Sequence, residues 1–127
     1  MAKIEGNCRE VCEAAEFAAL VTAGKDGPHV VGNWGDYLRA FRIREDVLVF
    51  PAGRYQRTEE NLKRDPHIQV LLASKKVQGT RTPGQGYLIE GSAEMQTSGT
   101  LFDEVKAKFS WARGALVIHV ERITAQL

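Results

Sequence analysis

Hydrophobic and polar positions along the chain follow two periods, the first of them helical. Near the N-terminus apolar residues recur every three or four positions, at Ile4, Cys8, Val11, Cys12 and Ala15. This spacing predicts an amphipathic helix that buries one face. Small thiols suit such a face, so Cys8 and Cys12 are interpreted as core residues rather than as a redox pair or a metal site.

The second period is that of β-strands, which are either alternating or continuously apolar. It predicts strands at 17–23, 28–34, 47–50, 67–73, 87–96 and 115–120, with 37–41 as a further extended segment. Asp26-Gly27 favours a hairpin turn, Pro51 is expected to close the third strand, and 79–86 reads as a loop. Six strands with few helices predict a mainly β fold, an antiparallel barrel.

Two more short helices are predicted between the strands. Residues 57–65 carry acids first and bases last, which matches the helix dipole. A second helix follows residue 100, with its apolar positions Leu101, Val105, Phe109 and Ala112 on one face.

The length and net charge of the chain argue against some classes of function. The chain has 127 residues, which predicts one domain spanning 1–127. Lys+Arg total 17 and Asp+Glu 16, a balance that argues against nucleic acid as the main partner. No apolar run is long enough to cross a membrane, and the N-terminus lacks an apolar signal core. We therefore expect a cytoplasmic protein without a membrane or nucleic-acid partner.

The segment from Phe50 to Asn61 is the best candidate for binding chemistry. A strand stops at Pro51, a loop contains Gly53 and Arg54, and a helix then begins. Such a junction presents unpaired N–H groups and the positive end of the helix dipole, which favour a phosphate. Arg54, Arg57 and Thr58 add donors. The alternative is a solvated basic loop with Thr58 as a plain helix cap.

Aromatic residues form a second candidate. Trp34 and Tyr37 lie at a predicted strand end beside Asn33, and Phe109 and Trp111 precede the last strand. Planar ligands need ring contacts and a few polar groups, although these rings also suit a core or an interface. No catalytic set is predicted, because the three histidines are scattered without an acid or cysteine at ligand spacing.

The ordered set of motifs resembles one family over roughly residues 16–127. The set consists of Asp26-Gly27-Pro28-His29, Trp34, Tyr37-Leu38, Arg57-Thr58-Glu59-x-Asn61, Lys76-Val77-x-Gly79, Pro83-Gly84-x-Gly86, Gly91-Ser92-Ala93 and Lys108-Phe109-x-Trp111-Ala112-Arg113. It is similar to the small FMN-binding proteins of sulfate-reducing bacteria. These belong to the FMN-binding split-barrel family, together with pyridoxamine-phosphate oxidases and flavin reductases.

The resemblance implies a six-stranded split β-barrel that forms a homodimer with non-covalent FMN at the interface. It implies electron transfer with an unknown redox partner protein or small-molecule reductant. Arg57 and Thr58 would hold the phosphate, Asn33 and Trp34 would lie near the ribityl chain and ring, Tyr37 and Trp111 would shape the ring pocket, and Leu127 would reach the partner's flavin. The full expected cofactor-binding set is Asn33, Trp34, Tyr37, Pro51, Gly53, Arg54, Arg57, Thr58, Asn61, Lys76, Gly79, Trp111 and Leu127.

Two departures and two alternatives accompany this expectation. Gly32 lacks a polar side chain that the resembling proteins carry, and Asp36 adds a charge that would disfavour an anionic reduced flavin. The first alternative is an enzyme, either a flavin reductase or a flavin oxidase of a small substrate. The second is a haem-binding or non-catalytic split-barrel module.

Overall fold

In a computed structural model, which describes residues 2–79 and 81–127, six antiparallel strands form one sheet that curls into a half-barrel. The strands are β1 (Phe17–Gly24), β2 (Gly27–Trp34), β3 (Val47–Ala52), β4 (His67–Gln78), β5 (Pro83–Gln96) and β6 (Gly114–Gln126). Their order in the sheet is β2-β1-β4-β5-β6-β3. This confirms the predicted mainly β fold.

Four short helices accompany the sheet. They are α1 (Gly6–Ala14), α2 (Gly35–Arg39), α3 (Gln56–Arg64) and α4 (Thr100–Lys108). The buried face of α1 consists of Cys8, Val11 and Cys12, so the interpretation of both thiols as core residues is confirmed. No helix in the described part of the chain is both long and apolar enough to span a membrane.

The split of the barrel lies between the end strands β2 and β3. No backbone pairing joins them, but two side chains cross the gap. The Asn33 amide nitrogen donates to the Pro51 carbonyl at 3.4 Å, and the Tyr55 hydroxyl donates to the Gly32 carbonyl at 2.8 Å. The split is therefore held by polar side chains from the segments predicted to bind a ligand.

Two apolar clusters stabilise the fold on opposite sides of the β3–β6 pair. The larger one fills the barrel and includes Leu20, Phe50, Ile89 and Ile118. The smaller one lies under α4 and consists of Phe41, Val49, Val105, Ala112, Ala115 and Val117. The second cluster anchors the segment 109–113, which leads from α4 into β6.

The predicted extended segment 37–41 is wrong, because α2 occupies most of it. Asp36 and Arg39 pair across one turn at 2.6 Å, and Arg39 also donates to the Ala15 carbonyl at the end of α1. The Gly35 amide donates to the Glu16 carbonyl at 2.8 Å. These tertiary contacts fix a single helical turn that the apolar spacing did not indicate.

Several predicted boundaries also need correction. Strand β3 continues through Pro51 to Ala52, which is possible because β3 ends the sheet and needs hydrogen bonds on one side only. Strands β4, β5 and β6 extend beyond 67–73, 87–96 and 115–120. The predicted loop 79–86 is therefore wrong for 83–86, which begin β5, while Thr80 lies outside the described residues. Helix α4 ends at Lys108, so Phe109 and Ala112 lie beyond it.

Candidate functional site

The junction between β3 and α3 presents a helix N-terminus without a side-chain cap. Tyr55 occupies the N-cap position with φ 66°, a left-handed conformation, and its side chain makes no capping hydrogen bond. Within an α-helix the first N–H groups have no intrahelical acceptor, which here leaves Gln56, Arg57 and Thr58 as free backbone donors. The preceding Gly53 and Arg54 are exposed. The junction is thus open to an anion.

Thr58 adds a donor that the described residues do not use. The residue has 0% exposure, and its Oγ1 has no hydrogen-bond partner in the described part of the chain. Thr58 is the third residue of α3, so its interpretation as a plain helix cap is wrong. An unpaired buried hydroxyl costs about 1–3 kcal/mol, which needs a compensating role. A phosphate bound at this N-terminus would supply the missing acceptor.

Arg57 lies between two adjoining cavities on the surface of α3. One, of about 400 Å³, is lined by the β1–β2 turn and α3, including Lys25, Asp26 and His29. The other, of about 550 Å³, adds Arg54 and Tyr55 to His29 and Arg57. Both cavities also include Glu60, so cations and two acids, Asp26 and Glu60, surround the junction.

Sequence reasoning missed Lys25 and His29 as neighbours of the junction. The hairpin approaches α3 because Asn61 in α3 donates to the buried Thr22 hydroxyl of β1 at 3.0 Å. The Asn61 oxygen accepts from Arg64 at 2.6 Å. Asn61 therefore has a structural role, and its expected role in cofactor binding stays a prediction. Lys25 and His29 can be recognised as neighbours of the junction only from the packing of α3 on β1, which the sequence pattern does not indicate.

An aromatic surface adjoins the junction on the other side. Trp111 packs so closely on Gly53 that a Cβ atom there would lie 3.0 Å from the indole ring. Tyr37 and Phe109 contact Trp111, with ring centroids 5.6 and 5.4 Å apart. Trp111 itself is 50% exposed. The structure therefore joins three predicted site residues, Tyr37, Gly53 and Trp111, in one partly exposed surface, with the Tyr37 and Trp111 rings tilted by 48°.

Trp34 belongs to a different aromatic pair. Its ring lies edge-on to Phe17 with centroids 5.9 Å apart, and it is 53% exposed. The backbone N–H of Trp34 donates to the Asn33 side-chain oxygen, while the Asn33 nitrogen reaches Pro51. Asn33, Trp34 and Pro51 thus border the junction, but Trp34 and Trp111 do not stack on each other.

The Phe17 ring fills the space that a side chain at Gly32 would enter, where the resembling proteins carry a polar side chain. The Tyr55 hydroxyl donates to the Gly32 carbonyl, and burial raises the pKa of Tyr55 to about 12. The phenol therefore stays neutral and keeps lone pairs free to accept a hydrogen bond. At the second departure, Asp36 is paired with Arg39, which offsets the added negative charge.

Three predicted site residues lie elsewhere in the single chain. Lys76 is exposed near the end of β4, Gly79 donates its N–H to the Thr82 carbonyl, and Leu127 is 86% exposed. Leu127 borders a cavity of about 360 Å³ at the start of β5. None of the three lines the cavities that contain Arg57. If they share a ligand with Arg57, a second copy of the chain must bring them to it.

Comparisons with known proteins agree with this architecture. The open six-stranded sheet with an anion-receptive β3–α3 junction is a split barrel, and the family model described as pyridoxamine 5'-phosphate oxidase matches residues 4–126. The chain belongs to the pyridoxamine 5'-phosphate oxidase family, which confirms the resemblance.

One curated relative and two solved structures define this similarity further. An FMN-binding protein of Nitratidesulfovibrio vulgaris (strain Miyazaki F) is 41% identical over 117 residues, which are 92% of this chain and 93% of the relative. A HupZ variant of Group A Streptococcus has a TM-score of 0.76 at 19% identity, covering 97% of this chain and 99% of that one. An FMN-binding protein of Syntrophomonas wolfei has a TM-score of 0.65 at 14% identity, covering 94% and 83%. The two structures support the fold alone.

Proposed function

We propose that this chain binds FMN non-covalently as a homodimer and transfers electrons through it. The observation that carries the proposal is the junction at α3, where an uncapped helix N-terminus meets an unpartnered buried Thr58 hydroxyl. The 41% identical relative is named an FMN-binding protein, and this name supports FMN as the ligand proposed here. When bound, FMN supplies a planar ring that accepts and donates electrons.

The phosphate is assigned to the β3–α3 junction. Gln56, Arg57 and Thr58 offer backbone N–H groups, and the Thr58 hydroxyl and Arg57 guanidinium add two side-chain donors. Lys25 contributes a further cation from the hairpin, beside the acid Asp26. Helix N-termini with cationic side chains are a common arrangement for phosphate groups, so the residues fit this end of FMN.

The flat ring is assigned to the exposed aromatic surfaces beside the junction. Tyr37 and Trp111 form one such surface over Gly53, and Trp34 with Asn33 borders the other side. Asn33 can contact the ribityl chain, while the indole rings exclude water from the ring faces. Because Trp34 and Trp111 are both about half exposed in one chain, this pocket needs a further wall.

A second copy of the chain is the proposed source of that wall. The outer sheet face carries Ala19, Leu71 and Leu88 as neighbours in register, and Leu71 and Phe17 remain 42% and 50% exposed. Apolar surface of this kind is typical of homodimer interfaces. In the dimer, Lys76, Gly79 and Leu127 of one subunit would complete the flavin pocket of the other.

Electron transfer is favoured because the site is shallow. A ring held between half-exposed tryptophans would lie close to the surface, within reach of a redox partner protein. Rapid reduction of the bound flavin by a nicotinamide cofactor would instead favour the flavin reductase alternative. An absorption spectrum of the purified protein, with the released cofactor identified, would separate flavin from haem.

The phosphate assignment is tested by titrating Arg57→Ala with FMN and with riboflavin, which lacks the phosphate. We expect FMN to bind about 30- to 150-fold more weakly, because a hydrogen bond to a charged group contributes about 2–3 kcal/mol. The affinity for riboflavin should be unchanged. Lys63→Ala is the matched control, since Lys63 is an exposed cation in the last turn of the same helix. Equal FMN affinity in both variants would contradict the assignment.

The dimer is tested by placing a charge on its proposed face. Leu71→Arg should sediment as a monomer and bind FMN more weakly, because an unpaired charge at an apolar interface is strongly unfavourable. Glu104→Arg introduces the same side chain on an exposed position of α4 and should leave the sedimentation coefficient unchanged. A dimer that persists in Leu71→Arg would exclude this face.

A further inference from the structure

We infer that Arg113 sets the preference of this site for phosphorylated over unphosphorylated flavin, by positioning the β3–α3 junction and neutralising Glu59. This inference rests on the proposed FMN function. Arg113 is a positioning residue, because it acts through its hydrogen bonds to the Arg54 carbonyl and the Glu59 carboxylate.

Arg113, the residue directly before β6, ties together three parts of the junction. Its backbone N–H donates to the Ala52 carbonyl at 2.8 Å, and its Nε donates to the Arg54 carbonyl at 2.8 Å. Its Nη1 bonds a Glu59 carboxylate oxygen at 2.9 Å. The end of β3, the glycine-containing loop and the first turn of α3 are thereby held by one residue.

The ion pair with Glu59 matters because of where Glu59 lies. It directly follows Thr58 in α3, so its charge is close to the helix N-terminus proposed to receive a phosphate. The Glu59 and Arg113 side chains are 23% and 30% exposed, so water screens the pair only in part. Without the guanidinium, an uncompensated carboxylate would repel the phosphate.

The loop itself also depends on this contact. Arg54 offers its carbonyl to Arg113, which leaves its cationic side chain directed to the cavity that contains Arg57. Trp111, two residues before Arg113, packs on Gly53. Segment 111–113 therefore fixes both the ring surface and the phosphate loop, and only the phosphate loop depends on the guanidinium.

A further observation sets Arg113 apart from an ordinary surface salt bridge. Its Nη2 atom is buried and, like the Thr58 hydroxyl, has no hydrogen-bond partner among the described residues. The guanidinium is therefore held at the junction through its bonds to the Arg54 carbonyl and the Glu59 carboxylate, and these are the contacts through which it acts.

The test compares binding constants for FMN and riboflavin in Arg113→Met, Glu59→Gln and the double variant. In Arg113→Met we expect the ratio of the two constants to fall at least about tenfold, with riboflavin affinity nearly unchanged. Adding Glu59→Gln to Arg113→Met should restore about fivefold of FMN affinity, the scale of one charge repulsion near a surface. Glu59→Gln alone keeps the acceptor oxygen and should raise FMN affinity.

The outcomes separate this inference from the proposed function. A wild-type protein that does not bind FMN would overturn both. If the wild type binds FMN but Arg113→Met keeps the same ratio, or loses both ligands equally, the inference alone is wrong. Should Arg113→Met fail to fold, Glu59→Gln decides, and an unchanged FMN affinity in that variant would refute the charge argument.

Discussion

Replacing Thr58 by valine should stabilise the FMN-free protein while weakening FMN binding. Valine has nearly the same shape but lacks the hydroxyl, which is buried at 0% exposure without a hydrogen-bond partner among the described residues. Removing an unpaired buried polar group relieves a desolvation penalty of about 1–3 kcal/mol. We take about 1 kcal/mol as the expected gain in the free energy of unfolding, which corresponds to roughly 3–5 °C in Tm.

The effect of the same substitution on FMN has the opposite sign. If the hydroxyl donates to the phosphate, its loss removes a charge-assisted hydrogen bond of about 1.5–3 kcal/mol. The dissociation constant for FMN should then rise roughly 10- to 150-fold, while that for riboflavin changes little. Thermal unfolding without flavin and fluorescence titration with both ligands measure the two halves of the prediction.

Thr22→Val provides the matched control. Thr22 is also a buried threonine, at 3% exposure, but its hydroxyl accepts a hydrogen bond from Asn61 at 3.0 Å. Its loss leaves the Asn61 amide unpaired, so this variant should be destabilised by about 1–3 kcal/mol and keep its preference for FMN. If Thr58→Val is destabilised to the same extent as Thr22→Val, or binds FMN normally, the reasoning about an unused donor is refuted.

Two further predictions concern the C-terminus and the outer sheet face. Deleting Leu127 should change the flavin potential or the FMN affinity, because its exposed side chain is proposed to pack on the flavin ring bound by the partner subunit. Potentiometry and FMN titration that both match the wild type would exclude this contact. Arg122 hydrogen bonds hold the pKa of Glu90 below its ordinary value of 4.5. The Glu90 carboxylate should therefore stabilise the fold above that pH and lose this effect during acidification. Glu90→Gln should lower the urea midpoint at pH 7, and this deficit should shrink progressively as the pH falls below 4.5. A deficit independent of pH would contradict the ion pair.

The β3–α3 junction could be predicted from sequence because its parts are consecutive. Gly53, Arg57 and Thr58 lie within six residues, so the change from strand to loop to helix is visible without any tertiary information. The position of this junction in the fold follows from chain order alone, because β3 directly precedes α3. The same locality explains why the burial of Cys8 and Cys12 followed from helical spacing.

Residues contributed from a distance could not be predicted in the same way. Arg113 reaches the junction only because β6 pairs with β3, and His29 only because α3 packs on β1. Neither contact leaves a periodic signal in the chain. The segment 37–41 was misread for a related reason, since Arg39 bonds α1 and so selects a helical turn that local spacing does not specify.

FMN binding and dimerisation should be thermodynamically linked, because one chain offers only part of the proposed pocket. Trp34 and Trp111 are each about half exposed, and Lys76 and Leu127 lie outside the cavities around Arg57. A ligand that contacts both subunits binds the dimer more tightly than the monomer, so it must also strengthen the dimer by the same factor.

Sedimentation equilibrium across a range of chain concentrations can measure this linkage. Saturating FMN should lower the dimer dissociation constant by at least about tenfold, the scale of a 1.4 kcal/mol contact shared between subunits. Inorganic phosphate is the control, since it should bind only at the proposed α3 junction within one chain and leave the dimer constant unchanged. A dimer constant that is equal with and without FMN would mean that each chain binds its flavin alone, and the exposed tryptophans would then need another explanation.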